Sequence, residues 1–282
     1  MKFLGNVLAV IVGLFVFSIV AFLLFFGLIG IAASSSEKEV SLAENTILHL
    51  DLNGRTLVER TSEEDLAFGS FLNPFGGENT AGLVNLKKAI AEAKTNENIK
   101  GIYLNAGLFG AGQAGLLELR EALQDFKESD KFIVAYDEAY SEGGYFLASI
   151  ADEIYLNPLG GIDFNGFSSE GIFLKGFFEK AGIKPEVFRV GEFKSAVEPF
   201  ILDKMSPENR LQTQYFLDDI NQHALALIAE ARGIPTDSIR VINNQMLVRK
   251  PIDAVTYKLA TALKYEDEVH SILKGKLGLQ EK

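Results

Sequence analysis

From Phe3 to Ala33 the sequence carries no charged residue, and across the 27 residues from Val7 to Ala33 only Ser18 interrupts the apolar run with a hydroxyl. Wound as a helix at ~1.5 Å per residue, that run measures about 40 Å, more than the roughly 30 Å of bilayer hydrocarbon. Such a segment spans a membrane with tilt. A cleaved signal peptide is the competing reading, with Gly30-Ile31-Ala32 supplying small residues for processing. Its apolar region is normally only about 7 to 15 residues, so an uncleaved signal anchor over residues 1–33 is expected. Lys2 and the α-amino group precede the run, whereas Lys38 lies between Glu37 and Glu39 behind it. That asymmetry predicts a cytoplasmic N-terminus and an exported body.

The body of the chain behind the anchor is long enough for one compact domain with appended helices. Ser34 to Asn45 is polar and unpatterned, a stalk. Ile47, Leu48, Leu50 and Leu52 mark a strand over Thr46 to Leu52, Asn53-Gly54 a turn, and Arg55 to Arg60 a returning strand, so a hairpin is predicted to open the domain. Thr61 to Thr80, with Gly69, Pro74, Gly76 and Gly77, reads as a mobile loop. Beyond it helices and buried strands alternate. Leu83, Leu86, Ala89, Ile90 and Ala93 recur at helical spacing, as do Leu116, Leu119, Ala122, Leu123 and Phe126. Apolar strands are predicted over Ile99 to Leu104, Phe132 to Tyr136, Glu153 to Leu156, Gly171 to Leu174 and Glu186 to Val190, with helices over Tyr145 to Ala151 and Leu174 to Ala181. This alternation means an α/β domain with a mainly parallel sheet. Periodicity alone does not separate a doubly wound sheet from other parallel arrangements.

After Pro199 the pattern turns helical. Ser206-Pro207-Glu208 supplies an N-cap and the first two helical positions of a long helix that stops at Gly233. Shorter helices are predicted from Pro235, over Pro251 to Leu263 and over Tyr265 to Leu273.

Composition narrows the chemistry. With 27 basic against 38 acidic residues and a net charge of -11, the chain has no basic stripe for phosphate, which excludes nucleic acid as a partner. The absence of cysteine removes disulfides, thiolate zinc sites and a thiol nucleophile. His49, His223 and His270 are scattered without metal-ligand spacing, and Glu266-Asp267-Glu268 reads as the acidic first turn of a helix. No metal and no cofactor are expected.

The stretch that points to a function is Phe188-Arg189-Val190-Gly191-Glu192-Phe193-Lys194-Ser195-Ala196-Val197-Glu198-Pro199-Phe200, with Asp203-Lys204-Met205-Ser206 close behind. Lys194 stands among apolar neighbours, a setting in which desolvation penalises the ammonium and frees the amine to accept a proton. This run resembles the lysine segment of the signal peptide peptidase A (protease IV) family in its long, tandem-repeat form, and the resemblance extends from about Thr46 to the C-terminus. It implies a crotonase/ClpP-like spiral of ββα units and makes Lys194 the general base of a Ser/Lys dyad. Glu198 and Ser195 are its candidate orienting neighbours. It also makes Asn105-Ala106-Gly107 the counterpart of a loop that forms part of an oxyanion hole, although the family's full glycine pair is absent here.

Two further constellations compete. Gly110-Ala111-Gly112-Gln113-Ala114-Gly115 is a literal G-x-G-x-x-G, with Asp137 placed 22 residues on where a dinucleotide fold puts its ribose-binding carboxylate. Ala139-Tyr140-Ser141-Glu142-Gly143-Gly144-Tyr145 resembles the family's nucleophile-bearing helix start, but Glu142 occupies the serine's position. Ser141 lies one residue early, roughly 100° around the helix, and is predicted to be an N-cap.

The expected layout is an anchor over residues 1–33, a stalk over 34–45, an α/β domain over 46–200 and a helical extension for packing or assembly over 201–282. The expected function is that of a membrane-bound serine endopeptidase on the extracytoplasmic side of a bacterial inner membrane, acting on remnant signal peptides and other hydrophobic peptides. In it this chain supplies Lys194, a second repeat supplies the serine, and the parts assemble as a homo-oligomer. By itself the chain is expected to be inactive. A non-catalytic membrane-anchored scaffold and, more remotely, a dinucleotide enzyme using Gly110 to Gly115 are the alternatives.

Overall fold

Runs rich in branched and aromatic residues with both faces apolar form strands only when both faces are covered, and the central segments of this chain satisfy that condition. The computed structural model describes residues 2–34, 42–61, 80–188, 190, 191 and 193–279. Two units are distinguished by their internal packing, Met1–Ala43 and Glu44–Lys282.

The first unit is helix α1, Lys2–Ser34. Its segment Gly5–Phe25 is long and apolar enough to cross a membrane by length and composition. Ser18 donates its hydroxyl to the Leu14 carbonyl at 2.8 Å, the one-turn-back bond that keeps a polar group satisfied within an apolar helix.

The second unit is built on a five-stranded parallel sheet. Its strands are β1 (Thr46–Asp51), β4 (Ile99–Asn105), β5 (Phe132–Tyr140), β6 (Glu153–Ile162) and β7 (Ala262–Leu263), paired in that spatial order. A second, small parallel sheet joins β2 (Thr56–Val58) to β3 (Thr80–Gly82), and Gly110 bridges to Thr56 beside it. The chain thus visits the large sheet, passes a short strand to the small one, and returns through a helix. β5 and β6 make the same excursion without a break. Past an irregularity between Asp137 and Ala139 their ends pair again, Ala139 with Gly161 and Tyr140 with Ile162. Gly160 lies at that bend against the Glu138 carbonyl, where a Cβ has no room. This strand, short strand, helix rhythm is the crotonase/ClpP-like spiral, not a doubly wound sheet.

Helices α2 (Leu83–Thr95) and α3 (Gln113–Lys127) bury Ile90, Ala93, Leu119, Leu123 and Phe126 at helical spacing. Along the strands Ile102, Leu104, Ile133, Ala135 and Ile154 alternate with Tyr103, Val134, Tyr136 and Tyr155, so the two sets line opposite faces. The tyrosine-bearing face is covered by α10 (Glu266–Lys276) through Val269 and Leu273. Helix α4 (Glu142–Ala148) buries Tyr145, Phe146 and Leu147, with the Tyr145 hydroxyl donating to the Leu259 carbonyl at 2.8 Å. The remaining helices are α5 (Lys175–Ala181), α6 (Glu198–Ile201), α7 (Pro207–Arg232), α8 (Thr236–Asn244) and α9 (Pro251–Thr256). Buried Arg120 ties three helices together. It donates to the carbonyls of Phe146 and Leu227 and to Ser149 Oγ, and stacks 4.6 Å from the centre of the Phe146 ring.

Several expectations are corrected. β1 and β2 do not form a hairpin: the turn is present, but β1 pairs with β4 and β2 with β3, because each needs a parallel neighbour in a different sheet. No strand forms over Gly171 to Leu174, nor at the described residues of Glu186 to Val190. Ile172, Phe188 and Val190 there are 79%, 94% and 90% exposed, with no sheet edge beside them. The helix expected over Pro251 to Leu263 stops at Thr256 and hands Ala262–Leu263 to the sheet edge as β7. The loop expected over Thr61 to Thr80 lies outside the described residues except at its two ends, as do residues 35–41 of the stalk.

Candidate active site

Lys194 opens a single 3-10 turn, Ser195–Val197, that runs directly into α6. Its side chain is exposed, and among the described residues no hydrogen bond or ion pair engages its ammonium. The segment that carries it is nevertheless fixed. Glu198 is completely buried and accepts hydrogen bonds from Ser206 Oγ at 2.5 Å, Ser206 N at 3.1 Å and Asn209 Nδ2 at 2.8 Å. Ser206 is the N-cap of α7, where it also receives the Asn209 backbone N–H at 3.1 Å, and Pro207 takes the first helical position. The carboxylate therefore sits at the positive end of a 26-residue helix, which stabilises the charge. The Leu174 N–H donates to the Pro199 carbonyl at 2.7 Å, and the Phe178 and Phe200 rings lie 6.1 Å apart. Glu198 thus anchors the lysine's segment and is turned to Ser206 and Asn209. Among the described residues Ser195 holds the local turn, its carbonyl accepting the Glu198 N–H.

The start of α4 is equally committed. Ser141 is its N-cap: Oγ accepts the Gly144 N–H at 3.1 Å and donates to the Gly107 carbonyl at 2.9 Å, while Ser141 N donates to the same carbonyl at 2.8 Å. Gly144 packs so closely on the carbonyls of Ala106 and Gly107 that no side chain fits there. Glu142 accepts from Gly166 N at 2.6 Å, Asn165 N at 3.0 Å and Asn243 Nδ2 at 3.3 Å, and its burial raises its pKa above the ordinary carboxyl value. It cross-links α4, the chain after β6, and α8. The cavity bounded by Glu142, Phe146, Phe164 and Phe167 does not include Lys194.

The loop Asn105-Ala106-Gly107 leaves the C-terminal end of β4 with its polar groups assigned. Asn105 is buried, donating to the Tyr136 carbonyl at 2.7 Å and pairing with His49 Nε2 at 2.6 Å. Asp137 is only 7% exposed; it accepts Asn53 Nδ2 at 2.7 Å, and the backbone N–H groups of Gly107 and Ala106 face its carboxylate. Burial pushes Asp137 up to about 6 against the opposing pull of those donors. The donors that the resemblance would aim at an oxyanion are directed at a carboxylate. The sequence reading gave Asp137 a place only in the remote dinucleotide alternative. Its partners, from residues 53 and 106–107, are distant in sequence, and no local signal marks them. The dinucleotide arrangement is also absent: Gly110 pairs with Thr56, α3 begins only at Gln113, and Asp137 is held by Asn53 in place of an open ribose site.

The sequence profile of peptidase family S49 matches residues 125–280, which take in α4, β6, the Lys194 segment and α7 through α10. The chain belongs to peptidase family S49. Protease 4 of Haemophilus influenzae is 35% identical over 211 residues, covering 73% of this chain and 34% of that one. Protease 4 of Salmonella typhi is 40% identical over 153 residues, 54% of this chain and 25% of that one. Serine protease SPPA, chloroplastic, of Arabidopsis thaliana is 30% identical over 200 residues, 70% and 29% respectively. This S49 chain therefore spans about a third or less of the length of each of these relatives. The resemblance to signal peptide peptidase A is borne out, and with it the reading of the Lys194 segment as part of a peptidase-family domain.

Proposed function

We propose that this S49 chain is the base-supplying portion of a membrane-associated serine peptidase, with Lys194 as general base and α1 as its signal anchor, the body lying on the extracytoplasmic side. The observation that carries the reading is the fixation of the lysine's segment by buried Glu198. In the chain leading up to it Ile172, Phe177, Phe188, Val190 and Phe193 are exposed, apolar side chains of the kind that partner chains cover. Coverage by a second, serine-bearing repeat would desolvate Lys194 and favour its neutral amine, as a Ser/Lys mechanism requires. Within this chain Ser141 is spent as a cap and Glu142 is tied to Asn165 and Gly166, so neither supplies a nucleophile. Substrates of the assembly are hydrophobic peptides, including remnant signal peptides, and the assembly is a homo-oligomer. The exposure of Lys194 favours one rival, a non-catalytic scaffold. The test is hydrolysis of a fluorogenic hydrophobic peptide by the chain alone and mixed with the serine-bearing repeat. Silence alone and turnover in the mixture support the reading; turnover by the chain alone that is lost in Ser141→Ala overturns it.

A further inference from the structure

At the C-terminal end of the sheet one carboxylate holds two chain segments together. Leu52 N donates to the Asn105 carbonyl at 2.8 Å and Gly54 N to the Leu108 carbonyl at 2.9 Å, so the 53–54 turn lies along the 105–108 loop. Asn53 is the clasp between them: its Oδ1 accepts Leu108 N at 2.9 Å, while its Nδ2 donates to Asp137 Oδ1 at 2.7 Å. The Ala106 and Gly107 N–H groups face the same carboxylate. Asp137 is more than nine-tenths buried, yet its cover is thin. Asn53, Gly54 and Leu108 are exposed, and open space surrounds Gly54, whose φ of +67° suits a residue free to change conformation. The two oxygens of Asp137 fare differently. Oδ1 has Asn53, whereas Oδ2 is sealed without a hydrogen-bond partner. A neutral carboxyl tolerates such burial far better than an ionised one, which gains water when its cover lifts.

We propose that Asp137 is a pH-operated latch: protonated, it keeps the Asn53-Gly54 turn closed on the 105–108 loop, and ionised, it draws water to Oδ2 and makes the turn swing open more often. The closed form stays the major one at neutral pH; what changes is how often the turn lifts. Lifting breaks the bonds of Asn53 and Gly54 to Leu108 and widens the adjoining groove of about 570 Å³. It also loosens the loop that the resemblance places at an oxyanion hole. Other ionisable groups face Asp137 from each neighbouring element: His49 and Asp51 on β1, Tyr103 on β4, Tyr136, Glu138 and Tyr140 on β5, and Glu266 on α10. The negative charge of Asp51 adds to the effect of burial in favouring the Asp137 proton.

The test is hydrogen exchange of the full chain in detergent micelles, read by mass spectrometry on peptic peptides covering residues 52–56 and 106–110 and divided by the intrinsic exchange rate at each pH. With the carboxyl at about 6 when sealed and at 3.8 when hydrated, linkage raises the opening equilibrium about 25-fold between pH 4.5 and 7.5. Both peptides should show a rise of about tenfold or more, and at pH 7.5 should exchange at least about tenfold faster than the β5 core, which marks a local opening and not unfolding of the domain. Asp137→Asn leaves the seven neighbouring groups in place and should flatten the rise to about twofold or less. Asn53→Ala, on the exposed turn, removes the clasp and should raise exchange in both peptides about fivefold already at pH 4.5. Wild-type opening that is independent of pH or no faster than the core, a rise that survives in Asp137→Asn, or an Asn53→Ala variant unchanged at pH 4.5 overturns the latch.

Discussion

Replacing Asp137 by asparagine tests whether a buried, half-satisfied carboxylate is held at a cost. The folded group binds its proton more tightly than the unfolded one, so the stability it contributes is fully present below pH 3.8 and is lost as pH rises through about 6. With the unfolded carboxyl at 3.8 and the folded one at about 6, the ionised native state costs about 3 kcal/mol at neutral pH, of which about 2 kcal/mol develops between roughly pH 4.5 and 7.5. Asp137→Asn keeps a carbonyl oxygen for Asn53 but places a neutral amide where Oδ2 lacks a partner, an orphan donor that costs about 1–3 kcal/mol at every pH. The variant should therefore gain on the wild type by about 2 kcal/mol between pH 4.5 and 7.5, whatever its offset. Urea unfolding of the full chain in micelles measures this, monitored through the fluorescence of its eight tyrosines, since it has no tryptophan. A stability difference that stays flat across that range, or moves the other way, refutes the reasoning.

Other perturbations have equally direct readouts. Gly144→Ala drives a methyl into the carbonyls of Ala106 and Gly107 and should cost about 2–3 kcal/mol in the same unfolding assay, where a change below about 0.5 kcal/mol would show that the loop yields freely. Arg120→Ala removes the bonds to the Phe146 and Leu227 carbonyls and to Ser149 Oγ together with the stacking on Phe146, and should cost about 3 kcal/mol or more, with loss of cooperativity if α7 separates from α3. Glu198→Gln keeps the shape but removes the charge at the start of α7; it should cost about 1.5–3 kcal/mol and speed amide exchange at Ser206 and Asn209, and unchanged exchange there would contradict the anchoring role.

The features legible in the sequence were local ones. Ser206 and Ser141 announced themselves as caps because a hydroxyl bonds an N–H three residues on, and the buried helical and strand periodicities came from one face each. The Asn53-Gly54 turn was also local and real, yet it did not decide whether the strands on either side pair with each other. β1 finds its neighbour in β4, about 50 residues later, and no turn signal carries that information. β7 is two residues long and hid within a helical pattern. The lysine segment is a different case: Phe188, Val190 and Phe193 point to solvent in this chain, so the burial of Lys194 that its apolar neighbours suggest rests on the partner proposed to cover them. Glu198 read as a partner for the lysine, but the charge of a helix N-terminus and the side chains of Ser206 and Asn209 claim it. Asp137 looked like a ribose ligand because spacing from a glycine run ignores what the intervening backbone does.

The central claim is that Lys194 removes a proton from a serine supplied by another repeat. It is tested most directly by comparing hydrolysis of a hydrophobic fluorogenic peptide by the chain assembled with the serine-bearing repeat and by the same assembly carrying Lys194→Arg. A guanidinium keeps its proton in a protein, so the account predicts a loss of at least about 100-fold in kcat, the usual scale of general-base catalysis, with the assembly intact by sedimentation. An intact Lys194→Arg assembly that turns over at the wild-type rate would contradict it.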